Sequence, residues 1–415
     1  MYLRKLTVIL AILAIGISRA QNVQSDLLDK KVVFIIVDGI SADQLKTANT
    51  PYLDQIGRVG ASTDAYVGGG KGTYSETPTI SAVGYNSLIT GTWANKHNVW
   101  GNGIKDPNYN YPTIFRLYKD HNPNGTIGVF SSWLDNRTKL VGEGLDATGQ
   151  IQVNHHFDGL EHDTINFPHD IRRNFMKLID YTVADHAAHT ILREGPDLSW
   201  VYLEFSDDMG HGYGDGERFT AAVEFEDYLV GKIWKAVEER QSLKNEDWLF
   251  IVTTDHGRTE ENGKHHGGQS DRERSTWIVT NSKDTNGYFN SKTPGVVDIL
   301  PTIVDFLNIE VPQSVRREWD GVSLIQPVDA FDLRATKKGS HLEVSWEALS
   351  EGSGNLYMSS TNAFKNGGQD DYKLIETVQL EKGKLKIPLR KLSKGFCKLI
   401  LETKNTTLNT WYVEE

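Results

Sequence analysis

Three short runs constrain this chain more than anything else in it. Residues 31–38 read KVVFIIVD, residues 198–205 read LSWVYLEF, and residues 247–255 read DWLFIVTTD. Their apolar residues are continuous rather than alternating, and rich in Val, Ile and aromatics. Strands of that kind are buried on both faces, which is the habit of a parallel sheet covered by helices. Each run also delivers an acid where the apolar stretch stops: Asp38, then Asp207, then Asp255. The carboxyl ends of parallel strands are where open α/β sheets place their ligands.

Helical patterns separate these runs. They cover residues 42–57, 112–121, 170–194, 220–241 and 297–309, with Leu229, Ile233 and Val237 on one stripe and Pro301 tolerable only near a first turn. Residues 125–133 and 275–280 read as strands, and residues 135–166 show no period. After about Val328 the pattern changes: Leu342, Val344 and Trp346, then Leu385, Ile387 and Leu389, alternate with polar residues between Gly, Asn and Asp turns. That is a half-buried antiparallel pattern. The expected fold is therefore α/β, a central mostly parallel sheet with helices on both faces over residues 30–327, followed by a small all-β domain, a β-sandwich, over residues 331–415.

The first twenty residues are expected to be a signal peptide. Arg4 and Lys5 precede an apolar run over residues 6–17, and Ser18-Arg19-Ala20 offers a cleavage point. The run is short for a membrane span. An exported protein, periplasmic or secreted, follows. The whole chain carries a net charge of −11, and loss of those three cations takes it to −14. Such acidity argues against general nucleic-acid binding. The single Cys397 allows no internal disulfide.

The stretch over residues 77–91, TPTISAVGYNSLITG, puts Ser81 at the start of a helical pattern. A hydroxyl there lies beside unpaired N–H groups and the positive end of a helix dipole, which favour an anion. In SDDMGHGYGDGE, residues 206–217, Asp207 and His211 stand four apart among Gly210, Gly212 and Gly214. Glycine disfavours a helix, so a loop is expected there. His256 directly follows Asp255, and His265 and His266 precede a Gly pair. Asp and His together suit a divalent metal such as zinc. Two cations about 3.5–4 Å apart hold the attacking and leaving oxygens of a phosphoryl displacement, and a metal-bound serine loses its proton without a neighbouring base.

On these residues the chain resembles the alkaline phosphatase superfamily, near its type I phosphodiesterase and nucleotide pyrophosphatase branch, over residues 32–324. The segments VDILPTIVDFLNI and WDGVSL resemble that family's closing pattern. The resemblance implies one metal on Asp38, Ser81, Asp255 and His256, and a second on Asp207, His211 and His266, with His265 the rival for the last place. It implies Ser81 as nucleophile, ten residues before Gly91 of a Thr-Gly pair, in preference to Thr79. It implies two divalent ions, with zinc the expected metal, and double displacement through a phosphoserine. Diesterases of the branch usually have Thr at the nucleophile and Asn three residues later, whereas this chain has Ser81 and Gly84. Gly84, Lys71 and Lys96 are candidate substrate contacts, and Arg258 and Arg272 further cations for the phosphoryl oxygens.

The expected activity is that of a metal-dependent phosphoester hydrolase acting on a small-molecule substrate. The alternatives are a phosphomonoesterase or phospho-headgroup transferase of the same superfamily, and, in another class, a non-catalytic surface binding protein that contacts glycan through its β-rich tail. A sulfatase would need Pro and Arg shortly after its nucleophile, and Ser81-Ala82-Val83-Gly84-Tyr85 has neither.

Overall fold

The computed structural model describes residues 28–392 and 395–414. The expected signal peptide lies outside the described residues. Among those residues, no helix is long and apolar enough to cross a membrane.

The three apolar runs form the middle of a seven-stranded sheet. Its strands are β1 (Asp29–Val37), β2 (Ala61–Tyr66), β3 (Ile127–Ser131), β4 (His155–Phe157), β5 (Leu198–Leu203), β6 (Glu246–Thr253) and β7 (Ser275–Thr280). Their order is β2-β7-β6-β1-β5-β3-β4. β6, β1, β5, β3 and β4 run parallel, and β7 is antiparallel to both its neighbours. In β1, Val32, Phe34 and Ile36 enter one apolar core while Val33, Ile35 and Val37 enter the other. Burial on both faces is why this strand shows no alternation.

Five helices matter for the site: α1 (Ser81–Thr90), α2 (Asn174–Arg193), α3 (Phe205–Tyr213), α4 (Glu217–Leu243) and α5 (Ile299–Phe306). Tyr85, Leu88 and Ile89 of α1 join Ile299, Leu300 and Ile303 of α5 on one face of the sheet, and α2 and α4 cover the other. All ten residues of α1 are buried, as befits a helix with no polar face.

Three local expectations are corrected. The helix over 42–57 is two helices, Ala42–Thr47 and Pro51–Val59, because Pro51 opens a new first turn; Asp227 accepts the N–H groups of Tyr52 and Leu53 there. The span 297–309 is helical only over α5 and a preceding 3-10 turn, Val296–Asp298, with Pro301 in the first turn of α5. The glycine-rich stretch after β5 is a helix, α3, not a loop.

Residues after 328 form two antiparallel sheets. One has the order β11-β10-β13-β14 and the other β12-β9-β8, from β8 (Ala330–Lys338), β9 (His341–Ala348), β10 (Ser353–Ser359), β11 (Lys373–Gln379), β12 (Lys384–Pro388), β13 (Phe396–Glu402) and β14 (Thr407–Val413). Leu342, Val344 and Trp346 of β9 share a core with Leu399 and Leu401 of β13, so the alternation read from the sequence is the inward face.

Candidate metal centre

Parallel register brings the strand ends together. Ile36 of β1 pairs with Thr253 of β6, so Asp38 and Asp255, two residues beyond each, arrive at the same level. α1 begins above them, with Ser81 Oγ 3.3 Å from His256 Nε2. Asp38 Oδ1 and Asp255 Oδ2 also lie 3.3 Å from that nitrogen. These two carboxylates and His256 are almost wholly buried.

The remaining atoms of this group are held by neighbours. Tyr85 of α1 and Tyr202 of β5 both donate their hydroxyls to Asp38 Oδ2, the latter at 2.7 Å. The Gly39 N–H donates to Asp255 Oδ1 at 3.1 Å. Among the described residues, Asp38 Oδ1 and Asp255 Oδ2 are left buried without a hydrogen bond. His256 Nδ1 faces the Gly257 carbonyl at 2.9 Å, which keeps a proton on that side and leaves Nε2 as the nitrogen that faces the carboxylates and can take up a proton or a cation. Orphaned buried carboxylate oxygens are costly unless something positive meets them. The same demand shows in the proton affinities. Burial opposes a charge on His256, yet Asp255 and Asp38 raise its pKa to about 9. Burial, with Asp38 alongside, holds Asp255 well above the usual carboxylate range. Asp38, Asp255 and His256 thus have the donor chemistry and the unmet charge of a divalent-cation site.

A second group adjoins it. Because α3 is a helix, Asp207 and His211 stand one turn apart on the same face, with Asp207 Oδ2 3.2 Å from His211 Nε2. His266 Nε2 is 3.1 Å from His211 Nε2 and 3.9 Å from Asp207 Oδ1. The His266 Nδ1 faces the Thr79 carbonyl at 2.8 Å, so its Nε2 presents a lone pair. Burial and the nearby His256 lower the pKa of His266 to about 4. Burial works against the charge on Asp207, but the His211 contact and the Arg258 guanidinium outweigh it and hold the carboxyl well below its ordinary range. The two groups touch: the His256 and His266 rings stack with centroids 3.7 Å apart. His265 is exposed and belongs to neither group. Thr79, the rival hydroxyl, donates to the Gly268 carbonyl and accepts the Gly267 N–H; it fastens the loop that carries His266.

The candidate substrate contacts fare differently. Lys96 is fully buried, donating to Glu318 O, Asp320 and Asn409; it is a core cation, not a substrate contact. Arg258 is also fully buried and pairs with Asp207 Oδ1 at 2.6 Å, behind the second group. Arg272 pairs with Asp43 and Asp215. Lys71 is exposed, and no hydrogen bond or ion pair among the described residues joins it to the site. Gly84 packs on Asp255: a Cβ there would lie 2.7 Å from the Asp255 carbonyl oxygen and 2.9 Å from its Cβ. Glycine at 84 lets α1 approach the strand end that carries a ligand.

One residue was not anticipated. Asn102 Oδ1 accepts the N–H of Ala82, next to Ser81, at 3.0 Å, and the side chain is exposed. Its amide nitrogen therefore lies beside the first turn of α1. The only hint in the sequence is an Asn-Gly turn at 102–103, twenty-one residues after Ser81.

Residues 32–324 match the family described as type I phosphodiesterase / nucleotide pyrophosphatase. The chain is 30% identical over 122 residues to a 2,3-bisphosphoglycerate-independent phosphoglycerate mutase from Mesomycoplasma hyopneumoniae, covering 29% of this chain but 22% of that protein. It is 25% identical over 310 residues to GPI ethanolamine phosphate transferase 2 from Schizosaccharomyces pombe, covering 68% of this chain and 37% of the relative. A solved protein of the alkaline phosphatase superfamily from Vibrio parahaemolyticus superposes with a TM-score of 0.50 at 15% identity, over 87% of this chain and 82% of the other; at that identity the likeness is one of fold. The chain belongs to the type I phosphodiesterase/nucleotide pyrophosphatase family.

Proposed function

We propose that this protein is an exported, two-zinc phosphoester hydrolase of the phosphodiesterase type, working through a phosphoserine on Ser81. The observation that carries the reading is the pair of buried carboxylate oxygens, Asp38 Oδ1 and Asp255 Oδ2, left without partners beside the Ser81 hydroxyl. Asp38, Ser81, Asp255 and His256 would hold one cation, and Asp207, His211 and His266 the other. Bound there, divalent cations would lower the pKa of the Ser81 hydroxyl and take up negative charge on the phosphoryl oxygens.

The chain's own groups set the rest. Ser81 sits at the positive end of α1, whose dipole favours the anionic substrate. Tyr85 and Tyr202 fix Asp38 so that one oxygen stays free. The Ser81 Oγ–phosphorus bond forms as the ester oxygen departs, and water then cleaves the phosphoserine, releasing the phosphoryl product. With Lys96, Arg258 and Arg272 occupied elsewhere, and the Ala82 N–H held by Asn102 Oδ1, the Ser81 and Val83 N–H groups of α1 and the Asn102 amide nitrogen are the donors for the phosphoryl oxygens. Export is supported by Arg4, Lys5 and the apolar run that follows them.

A transferase reading keeps the same first step and replaces water by an alcohol. The kinship with GPI ethanolamine phosphate transferase 2 favours it. The test compares zinc-loaded protein on an aryl phosphate monoester and the matching diester, with and without glycerol as acceptor. Hydrolysis of the diester that falls at least about a thousandfold in Ser81→Ala, with zinc retained, is the expected result. Full activity in Ser81→Ala refutes the nucleophile, and glycerol phosphoester as main product selects the transferase.

A further inference from the structure

The two groups of cation ligands are not electrostatic equals. Asp38 and Asp255 bring two carboxylates, and their hydrogen-bond donors are neutral: Tyr85, Tyr202 and the Gly39 N–H. Asp207 is the only carboxylate of the other group, and it already has a cation. Arg258 Nη1 meets Asp207 Oδ1 at 2.6 Å. The neighbouring acids are answered as well: Asp208 pairs with Arg173 and Asp215 with Arg272.

Arg258 is built in. Its side chain is fully buried, and it donates to the carbonyls of Gly39, Gly263 and Lys264. Gly39, at φ +70°, passes so close that a Cβ would stand 2.6 Å from both Nη1 and Asp207 Oδ1. A Cβ on Gly210 would overlap the guanidinium. That is the reason α3 carries a glycine between Asp207 and His211. Through Gly263 and Lys264 the same guanidinium holds the loop that presents His266.

We propose that Arg258 is a fixed counter-ion that leaves Asp207 one oxygen for its cation and makes the Asp207–His211–His266 group the weaker of the two metal sites. The inference rests on reading both groups as cation sites. A carboxylate paired with a guanidinium offers less charge to a second cation, and that cation meets the Arg258 charge at close range. The Asp38 site fills first, and the Asp207 site binds and exchanges its metal separately.

The experiment titrates metal-free protein with buffered Zn²⁺, and with Co²⁺ for its visible spectrum, counting bound metal after dialysis. Two events separated by about tenfold to a hundredfold in affinity are expected in the wild type, of the size that residues next to metal ligands commonly impose. Asp38→Asn should remove the tight event and His211→Ala the weak one. Arg258→Gln should narrow the gap at least about tenfold, and Arg258→Lys, which keeps the charge, should leave it nearly unchanged. Two events of equal affinity in the wild type, a tight event lost with His211→Ala, or a folded Arg258→Gln with the gap intact or wider overturns the proposal. If Arg258→Gln does not fold, the wild-type gap and its assignment by the other two variants decide. A wild type that binds no metal overturns the metal-centre reading itself.

Discussion

Lys96 offers a sharp test, because sequence and structure give it opposite jobs. Its Nζ donates to Glu318 O at 2.7 Å, Asp320 Oδ1 at 2.6 Å and Asn409 Oδ1 at 2.7 Å. The Lys96 side chain has no exposure and that of Asp320 only 9%. Lys96→Met fills the volume of the stem but leaves a buried carboxylate and two acceptors without their cation. Breaking a buried pair in this way costs about 3–5 kcal/mol. With an unfolding entropy of about 2 cal/mol/K per residue, a chain of this length should then melt roughly 4–6 °C lower. Calorimetry at one pH, with KM measured on the surviving folded protein, separates the two roles. A core cation gives a lower Tm and an unchanged KM. An unchanged Tm with a raised KM would show that Lys96 serves the substrate and that its buried network is of no energetic consequence.

Three further outcomes follow from the same structure. Gly84→Ala should destabilise the protein, because the roughly 1 kcal/mol that alanine gains in a helix is outweighed by forcing its Cβ against the Asp255 backbone, at about 1–3 kcal/mol or more; a variant more stable than wild type in denaturant would refute that contact. Asn102→Ala should lower kcat/KM about tenfold to a hundredfold while bound zinc and Tm hold, as for loss of one hydrogen bond to a charged group; equal kcat/KM would exclude Asn102 from the site. Glu226 of α4 is buried against Asp180, and burial, with the Asp180 charge, holds its pKa well above the usual value. A raised carboxyl pKa favours the fold at low pH, and that advantage is lost as pH rises from the unfolded-state value towards the folded one. Relative to Glu226→Gln, the wild type should therefore lose stability by up to about 1.4 kcal/mol per pH unit above about pH 5. Parallel curves of Tm against pH would refute a neutral Glu226.

Which features were legible follows from how each is paid out along the chain. β1, β5 and β6 were legible because burial on both faces writes itself as an unbroken apolar run. β2 was not: it is half exposed, with burial only at Ala65, and nothing in ASTDAY distinguishes an edge strand from a loop. The α3 helix was misread because Gly210 carries a helix penalty of about 1 kcal/mol when taken alone. Its benefit, room for the Arg258 guanidinium, comes from a residue forty-eight positions later. Lys96 was misread for the same reason, its partners Glu318, Asp320 and Asn409 all lying more than two hundred residues away.

The site itself divides along this line. Asp38, Asp207 and Asp255 announce themselves because an acid at the end of an apolar strand is locally anomalous. What makes Asp38 fit for a cation is not anomalous at all. Tyr85 and Tyr202 sit on apolar stripes, with ring centroids 4.8 Å apart, and each is almost wholly buried. By periodicity they are core residues, and they are core residues. Their hydroxyls nevertheless converge on one oxygen of Asp38 and leave the other bare. Replacing either tyrosine by phenylalanine would keep the packing that the pattern records and remove a hydrogen bond that it does not. Hydrophobic periodicity reports where a ring is buried; which atom its hydroxyl meets is fixed only when β1, β5 and α1 come together.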